Sequence, residues 1–259
     1  QTQAGSAMWS PENTAILSTF LTEQRAITDK TTARTAVFDF DNTCIFNDIG
    51  ELVFRQQLSA LTLKLSPDQL DALLPTEISG ITTLKSGTTL SAAKKELLKQ
   101  YNILWPAISA KTPPDAAAHD AFKALMAWYY DQLLETDGIG SRFGYTWSAK
   151  LLSGLTKQDV KNLVAAAHAA HIAAPIQQVT WSSKNVELGL DIHSTFIQGL
   201  RPHAEIQTLM HDLIAAGVSV YIVSASPEAV IEEIAPLLGF PVDAEHAFGI
   251  RVEMEGDQL

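Results

Sequence analysis

The chain has 259 residues, of which 46% are hydrophobic and 18% charged, and this composition excludes an intrinsically disordered protein. Its 29 acidic residues outnumber its 18 basic ones, so the net charge of −11 argues against nucleic acid as a partner. The single cysteine, Cys44, excludes an internal disulfide. No apolar run reaches the roughly 18 residues of a membrane-spanning helix, so we expect no membrane partner.

The N-terminal part predicts one helix and one strand. Ser10-Pro11-Glu12 is typical of a helix start, with Ser10 as the N-cap and Pro11 in the first turn. The apolar stretch Thr35–Asp41 predicts a short buried strand that ends in carboxylates. The chain begins with glutamine rather than methionine, as after removal of a signal peptide, so we expect a periplasmic or secreted protein, with a cytoplasmic one as the alternative.

The pattern from about residue 50 to 200 is helical, and no strand is predicted there. Apolar residues recur at helical spacing, and Ser66-Pro67-Asp68 and Thr156-Lys157-Gln158-Asp159 are typical helix starts. The predicted helices cover 52–65, a stretch from Ser66 onward, 91–104, 115–134 and 156–171.

The last 60 residues or so alternate between helix and strand, which is typical of a parallel α/β sheet. An apolar stripe over 206–214 predicts a helix, and 218–223 predicts a buried strand. Ser226 is then expected to cap the following helix, with Pro227 in its first turn. Residues 248–254 alternate as a half-buried strand, and the turn after them predicts a hairpin whose second strand lies beyond the chain.

Asp39-Phe40-Asp41-Asn42-Thr43, at the end of the first strand, is the strongest chemical signal. Carboxylates at this place face the crevice where α/β proteins bind ligands. Two carboxylates together attract a divalent ion such as Mg²⁺. One can attack phosphorus, and the other can protonate the leaving group and then activate water. Ser224 follows the strand 218–223 at an expected helix N-terminus, which is a natural place for a phosphate.

At these two places the sequence resembles the haloacid dehalogenase superfamily, in its phosphoserine-phosphatase-like branch, and is similar to phosphorylcholine phosphatases. Asp39–Thr43 matches the motif D-x-D-x-T, and Ile222-Val223-Ser224 matches an apolar strand that ends in serine. The resemblance implies that Asp39 is the nucleophile, that Asp41 is the acid/base, and that the Asp39 side chain and the Asp41 backbone carbonyl hold Mg²⁺. It also implies that Asn42, Thr43 and Ser224 bind the phosphate.

The resemblance further implies a doubly wound, Rossmann-like parallel sheet with a large helical cap inserted after the first strand. The expected core is 1–44 with 200–259, and the expected cap is 45–199. The family also needs a lysine and a G-D-x-x-x-D motif, but no lysine follows Ser224 and Gly256-Asp257 has no second aspartate. We therefore expect the core to be incomplete, the chain alone to be weakly active or inactive, and a second segment or chain to supply these groups.

The predicted function is Mg²⁺-dependent hydrolysis of a small phosphomonoester through an aspartyl-phosphate. Asp48, nine residues after Asp39, and the aromatic run Trp128-Tyr129-Tyr130 suggest a cationic head group, such as choline, an amine or an amino acid. Since three successive rings cannot all point inward from a helix with one buried face, at least one is expected to be exposed. Two alternatives are a phosphotransferase of the same superfamily and a non-catalytic ligand-binding relative.

Overall fold

The computed structural model describes residues 9–29, 31, 33–253, 256, 258 and 259. Its backbone contacts divide into two compact units. The α/β unit comprises Gln1–Ile49 with Leu200–Ile250, and the helical unit comprises Gly50–Gly199 with Arg251–Leu259. None of the helices in the described ranges is both long enough and apolar enough to cross a membrane.

The elements alternate between helix and strand in the α/β unit, and the helical unit contains most of the helices. The helices are α1 Pro11–Ala26, α2 Ile49–Ala60, α3 Pro67–Leu73, α4 Leu90–Ala110, α5 Ala116–Glu135, α6 Gly140–Lys150, α7 Lys157–His171, α8 Ala204–Ala215 and α9 Glu228–Leu237. The strands are β1 Thr35–Phe38, β2 Ile45–Phe46, β3 Gln177–Asn185, β4 Leu190–Gln198, β5 Arg201–Pro202, β6 Ser219–Pro227 and β7 Ala247–Ile250. A short 3₁₀ helix covers Ala244–His246.

Three predicted helix starts are confirmed by their capping bonds. The Ser10 hydroxyl accepts a hydrogen bond from Asn13 N, while Ser66 and Thr156 each form a reciprocal capping box. The helix predicted over 52–65 is shorter than expected, because Leu61 has a φ of +51° and the chain leaves the helix there. Helix α6 has no counterpart among the predicted helices.

The α/β unit is built on a parallel sheet in the order β1-β6-β7. Strand β1 pairs with β6 from Thr35 opposite Ser219 to Phe38 opposite Ile222, which confirms the predicted pairing of these two strands. A second, two-residue pairing joins β2 to β5 in antiparallel orientation. The sheet brings the carboxyl end of β1 next to the segment that follows Ile222.

The two faces of this sheet differ in burial. Val220 and Ile222, on one face of β6, are 4% and 0% exposed, and α8 and α9 pack against this strand. On the other face Val37 is 61% exposed and Val223 is 48% exposed. The fold is therefore mixed α/β with a parallel sheet, as predicted, while the doubly wound arrangement stays a prediction.

Two predictions for the C-terminal part are wrong. Strand β6 continues to Pro227, so α9 begins at Glu228 and Ser226 is not its cap. Strand β7 covers only Ala247–Ile250 and pairs in parallel with β6, so it is shorter than the strand predicted over 248–254. Met254, Glu255 and Asp257 lie outside the described residues, so the predicted turn and hairpin stay predictions.

The chain end belongs with the helical unit, although the sequence assigned it to the core. Gln258 forms an antiparallel bridge with Thr156, and Gly154 N donates to the carbonyl of Leu259 at 2.8 Å. These backbone bonds attach the last residues to the segment just before α7.

The helical unit also contains a β-hairpin that the sequence analysis missed. Strands β3 and β4 pair in antiparallel register from Gln177 opposite Gln198 to Asn185 opposite Leu190. Arg55, only 3% exposed, fastens the hairpin to the helices. Its guanidinium donates to Asp131 at 3.2 Å and to Ser194 at 3.0 Å, and it lies 4.2 Å from the ring centre of Phe196.

Candidate functional site

The candidate site lies where β1 ends, on either side of the buried residue Phe40. Phe40 is fully buried and meets Phe240 edge to face, with the ring centres 5.5 Å apart. Asp39 and Asp41 flank this ring in the chain, immediately after β1. Asp39 is exposed and Asp41 is half-buried.

Asp39 is contacted by two residues that follow it in the chain. The Thr43 hydroxyl donates to Asp39 Oδ2 at 2.9 Å, which places the predicted phosphate-binding threonine on the predicted nucleophile. The Cys44 thiol lies 3.1 Å from the Asp39 carbonyl oxygen and is fully buried. Burial, with smaller contributions from Asp39 and Asp41, raises the pKa of this thiol to about 12, so Cys44 stays neutral and is not a nucleophile.

Three donors converge on the carboxylate of Asp41. The hydroxyls of Ser224 and Ser226 donate to Oδ2 at 2.9 and 2.7 Å, and Ile49 N donates to Oδ1 at 2.7 Å. Burial is the main cause that raises the pKa of Asp41, and the nearby Asp39 raises it further, while the three hydrogen bonds oppose the shift. The site therefore places the exposed carboxylate of Asp39 near the hydrogen-bonded carboxyl group of Asp41, which binds a proton more readily than an ordinary aspartate does.

Ser224 lies at the predicted place, but its surroundings differ from the prediction. Because α9 starts at Glu228, Ser224 belongs to an extended segment rather than to a helix N-terminus. Its hydroxyl donates to Asp41, and it also accepts from Ser226 N at 3.0 Å. The expected position at a helix N-terminus is therefore wrong for Ser224, while its predicted contact with phosphate stays a prediction.

Ser226 and the Ile49 amide are site groups that the sequence analysis missed. The signal for Ser226 was its spacing, because serines at i and i+2 of an extended chain point to the same side. Ser224-Ala225-Ser226 could therefore have been interpreted as two hydroxyls aimed at one acceptor. The Ile49 amide had no such signal, because its contact with Asp41 depends on the path of the intervening loop.

Asn42 and Asp48 lie in the loop between β1 and α2. Asn42 has a φ of +55°, and its side-chain oxygen accepts from Asn47 N at 3.2 Å. Asp48 is half-buried, and its N–H donates to the side chain of Asn47 at 2.9 Å. These bonds give Asn42 a role in shaping the loop, and its predicted contact with phosphate stays a prediction.

The aromatic run of α5 belongs to the core of the helical unit. Trp128, Tyr129 and Tyr130 are 6%, 0% and 1% exposed, so the expectation of at least one exposed ring is wrong. Helix α5 packs against α4, α6 and the β3–β4 hairpin, and a helix covered on several sides can bury adjacent residues. The Tyr130 hydroxyl lies 3.3 Å from Glu51, while no partner is found for that of Tyr129 within the described part of the chain.

The donor set at the site was compared with what Mg²⁺ requires. Across the residues that the structure describes, no three His, Cys, Asp or Glu side chains are grouped so as to hold a metal ion. Mg²⁺ is often held by one or two carboxylates together with waters and substrate phosphates. Asp39 is an exposed carboxylate with this chemistry, and Asp41 lies two residues away. The donors therefore fit a Mg²⁺ ion shared with a phosphate ester rather than a closed protein site.

Comparison with known proteins identifies a similar fold but no family. No protein-family model matches the chain, and neither does any curated protein. The fold is similar to the crystal structure of a conserved functionally unknown protein from Anaerococcus prevotii DSM 20548, with a TM-score of 0.75 and 18% identity. The match covers 93% of this chain and 69% of that one. At this identity the likeness establishes a shared fold and says nothing about activity.

Proposed function

We propose that the α/β unit is the core of a haloacid dehalogenase-like phosphatase that hydrolyses a small phosphomonoester through an aspartyl-phosphate. The observation that carries the proposal is the pair Asp39 and Asp41, of which one is exposed and the other is held by Ser224, Ser226 and Ile49. A covalent mechanism needs one ionised and one protonated carboxyl, and the raised pKa of Asp41 favours this division.

The chemistry takes two displacements at phosphorus. An oxygen of the Asp39 carboxylate attacks phosphorus, the ester P–O bond breaks, and the alcohol oxygen receives the proton of Asp41. The Asp41 carboxylate then takes a proton from water as the water oxygen attacks phosphorus and the bond to Asp39 breaks. Inorganic phosphate leaves, and both carboxyl groups return to their starting states.

Mg²⁺, held by the Asp39 carboxylate and the Asp41 backbone carbonyl, would neutralise the charge of the phosphoryl group when bound. The lysine and the acidic motif of this superfamily are not found after Ser224, so we propose that a second segment or chain supplies them and completes a doubly wound core.

Asp48 remains the residue proposed to meet a cationic group of the substrate. The buried rings of α5 give no further support for an aromatic cage.

The decisive test is capture of the covalent intermediate, because it requires only the first displacement. The full chain is incubated with Mg²⁺ and acetyl phosphate, a reactive phosphoryl donor, and its peptides are examined by mass spectrometry. We expect one phosphoryl group on the peptide that contains Asp39. Asp39→Asn should abolish this adduct, whereas Asp212→Asn, an exposed control that pairs with Arg25, should retain it.

An adduct that persists in Asp39→Asn would overturn the proposed nucleophile, and no adduct on any peptide would favour the non-catalytic alternative. Added alcohol separates hydrolysis from phosphotransfer, since a transferase would yield a new phosphate ester. The alternative, a non-catalytic ligand-binding protein, predicts saturable binding of phosphorylcholine without the adduct.

A further inference from the structure

The segment Ser224-Ala225-Ser226, called the turn below, is an irregularity within strand β6. Strand β6 pairs with β7 at Val223 opposite Phe248 and again at Pro227 opposite Ile250. Ser224, Ala225 and Ser226 therefore lie opposite a single residue, Gly249. Such bulges bend a strand and re-aim its side chains, and here both hydroxyls reach the same oxygen of Asp41.

Gly249 touches the backbone of this turn from behind. A Cβ at position 249 would lie 2.5 Å from the carbonyl oxygen of Ser226 and 2.7 Å from both N and Cα of Glu228. These distances are far below van der Waals contact, and backbone atoms cannot rotate away as a flexible side chain could. Gly249 N also donates to the Glu228 carboxylate at 3.2 Å, which ties β7 to the same turn.

We propose that Gly249 and Ser226 are positioning residues for Asp41. Because Gly249 has no side chain, β7 can approach the turn closely, and this contact fixes the backbone of the turn. The fixed backbone in turn keeps the buried Ser226 hydroxyl in hydrogen-bonding distance of the Asp41 carboxylate. Asp41 donates and accepts the proton in the proposed mechanism, so the inference rests on the proposed function for its effect on rate. Its structural part, the dependence of the Ser226–Asp41 bond on Gly249, stands independently.

Gly249→Ala is the principal test, and crystal structures and phosphatase kinetics are its two measurements. We expect the turn to move away from β7 and the Ser226 Oγ–Asp41 Oδ2 distance, 2.7 Å in the wild type, to exceed 3.5 Å. Because a misplacement of about 1 Å can cost on the order of 100-fold in rate, kcat should fall by about that factor while KM changes little.

Gly217→Ala is the matched control. Gly217 has a φ of +81°, so alanine there strains the chain just before β6, and the nearest atom to an added Cβ is Nη2 of the flexible Arg34 side chain at 2.6 Å. This variant loses stability in the same unit at the opposite end of β6 from Ser224 and Ser226, so its kcat should stay within about 2-fold of the wild type. Equal losses of kcat in the two variants would reduce Gly249 to a structural residue and overturn the inference.

Ser226→Ala provides a second test if Gly249→Ala does not fold. It removes the hydroxyl while leaving the turn backbone in place, and Ser219→Ala, an exposed serine on the same strand, is its control. We expect Ser226→Ala to lower kcat and to change the Asp41 side-chain conformation, and Ser219→Ala to do neither. An unchanged Asp41 conformation and kcat in Ser226→Ala would refute the role of Ser226. If the wild type shows no turnover, the crystal structures decide the positioning, and an intact Ser226–Asp41 bond in Gly249→Ala refutes it. The proposed function is judged separately, by the phosphoryl adduct on Asp39.

Discussion

At the scale of single residues, Asp41 shows how burial and hydrogen bonding compete. Three donors hold its carboxylate, yet burial dominates and the pKa is raised. The folded protein therefore binds a proton at Asp41 more readily than the unfolded chain does. The contribution of Asp41 to the free energy of unfolding is fully present below the ordinary aspartate pKa, and it is lost as the pH rises through the raised pKa of the folded state.

This residue-scale balance predicts that Asp41→Asn stabilises the protein at neutral pH. Asparagine keeps the shape of the side chain and one oxygen acceptor without a buried charge. We expect its Tm, measured without metal, to exceed that of the wild type at pH 7, and the difference to shrink as the pH falls toward 4. The control Asp212→Asn, at an exposed ion pair, should show no such trend. A Tm advantage that grows on acidification would contradict the assigned pKa direction.

At the scale of elements, the start of α7 combines a capping box with an ion pair. Asp159 N donates to the Thr156 hydroxyl, Thr156 N donates to the Asp159 carboxylate, and Lys64 Nζ lies 2.5 Å from the same carboxylate. The bond to Lys64, followed by those to Thr156, lowers the pKa of Asp159 to about 2. The stabilisation is present above the ordinary aspartate pKa and is lost as the pH falls toward 2.

Thr156→Ala tests this element. Removing an N-cap typically costs about 1 kcal/mol, so we expect a loss of that size in the free energy of unfolding of the helical unit at pH 7. Thr146→Ala is the control, because Thr146 is an exposed helix-interior threonine that bonds back to Arg142 O. Urea unfolding followed by far-UV circular dichroism measures both. A loss in Thr146→Ala as large as that in Thr156→Ala would count against the cap.

Element prediction from the sequence succeeded where local chemistry sets the boundary. Ser10, Ser66 and Thr156 cap their helices as expected, because each cap satisfies backbone groups within three residues. The β3–β4 hairpin was missed although both strands carry alternating burial. Its partners, Arg55 and Asp131, lie far away in the chain, so its packing gave no local signal.

At the scale of the whole molecule, the unequal burial of the two faces of the parallel sheet leads to a prediction. Parallel sheets are normally covered on both faces, but Val37 is 61% exposed while Val220, on the other face, is 4% exposed. Val37→Thr should therefore change the free energy of unfolding by no more than about 0.5 kcal/mol. Val220→Thr, which buries a hydroxyl, should cost about 1–3 kcal/mol. Urea unfolding tests the pair, and equal costs would mean that the Val37 face is covered in solution.

The sequence by itself determined the local chemistry of the site. Asp39 and Asp41 at the end of a strand and Thr43 behind them follow from a pattern a few residues long, and the resemblance added the pairing of β1 with the strand before Ser224. Tertiary structure decided which groups those residues meet. It placed Ser226 on Asp41 instead of on α9, buried Trp128 and its two neighbours, and brought Gly249 against the turn. The physical reason is that these contacts join segments distant in the chain, and their geometry depends on packing that no local pattern records.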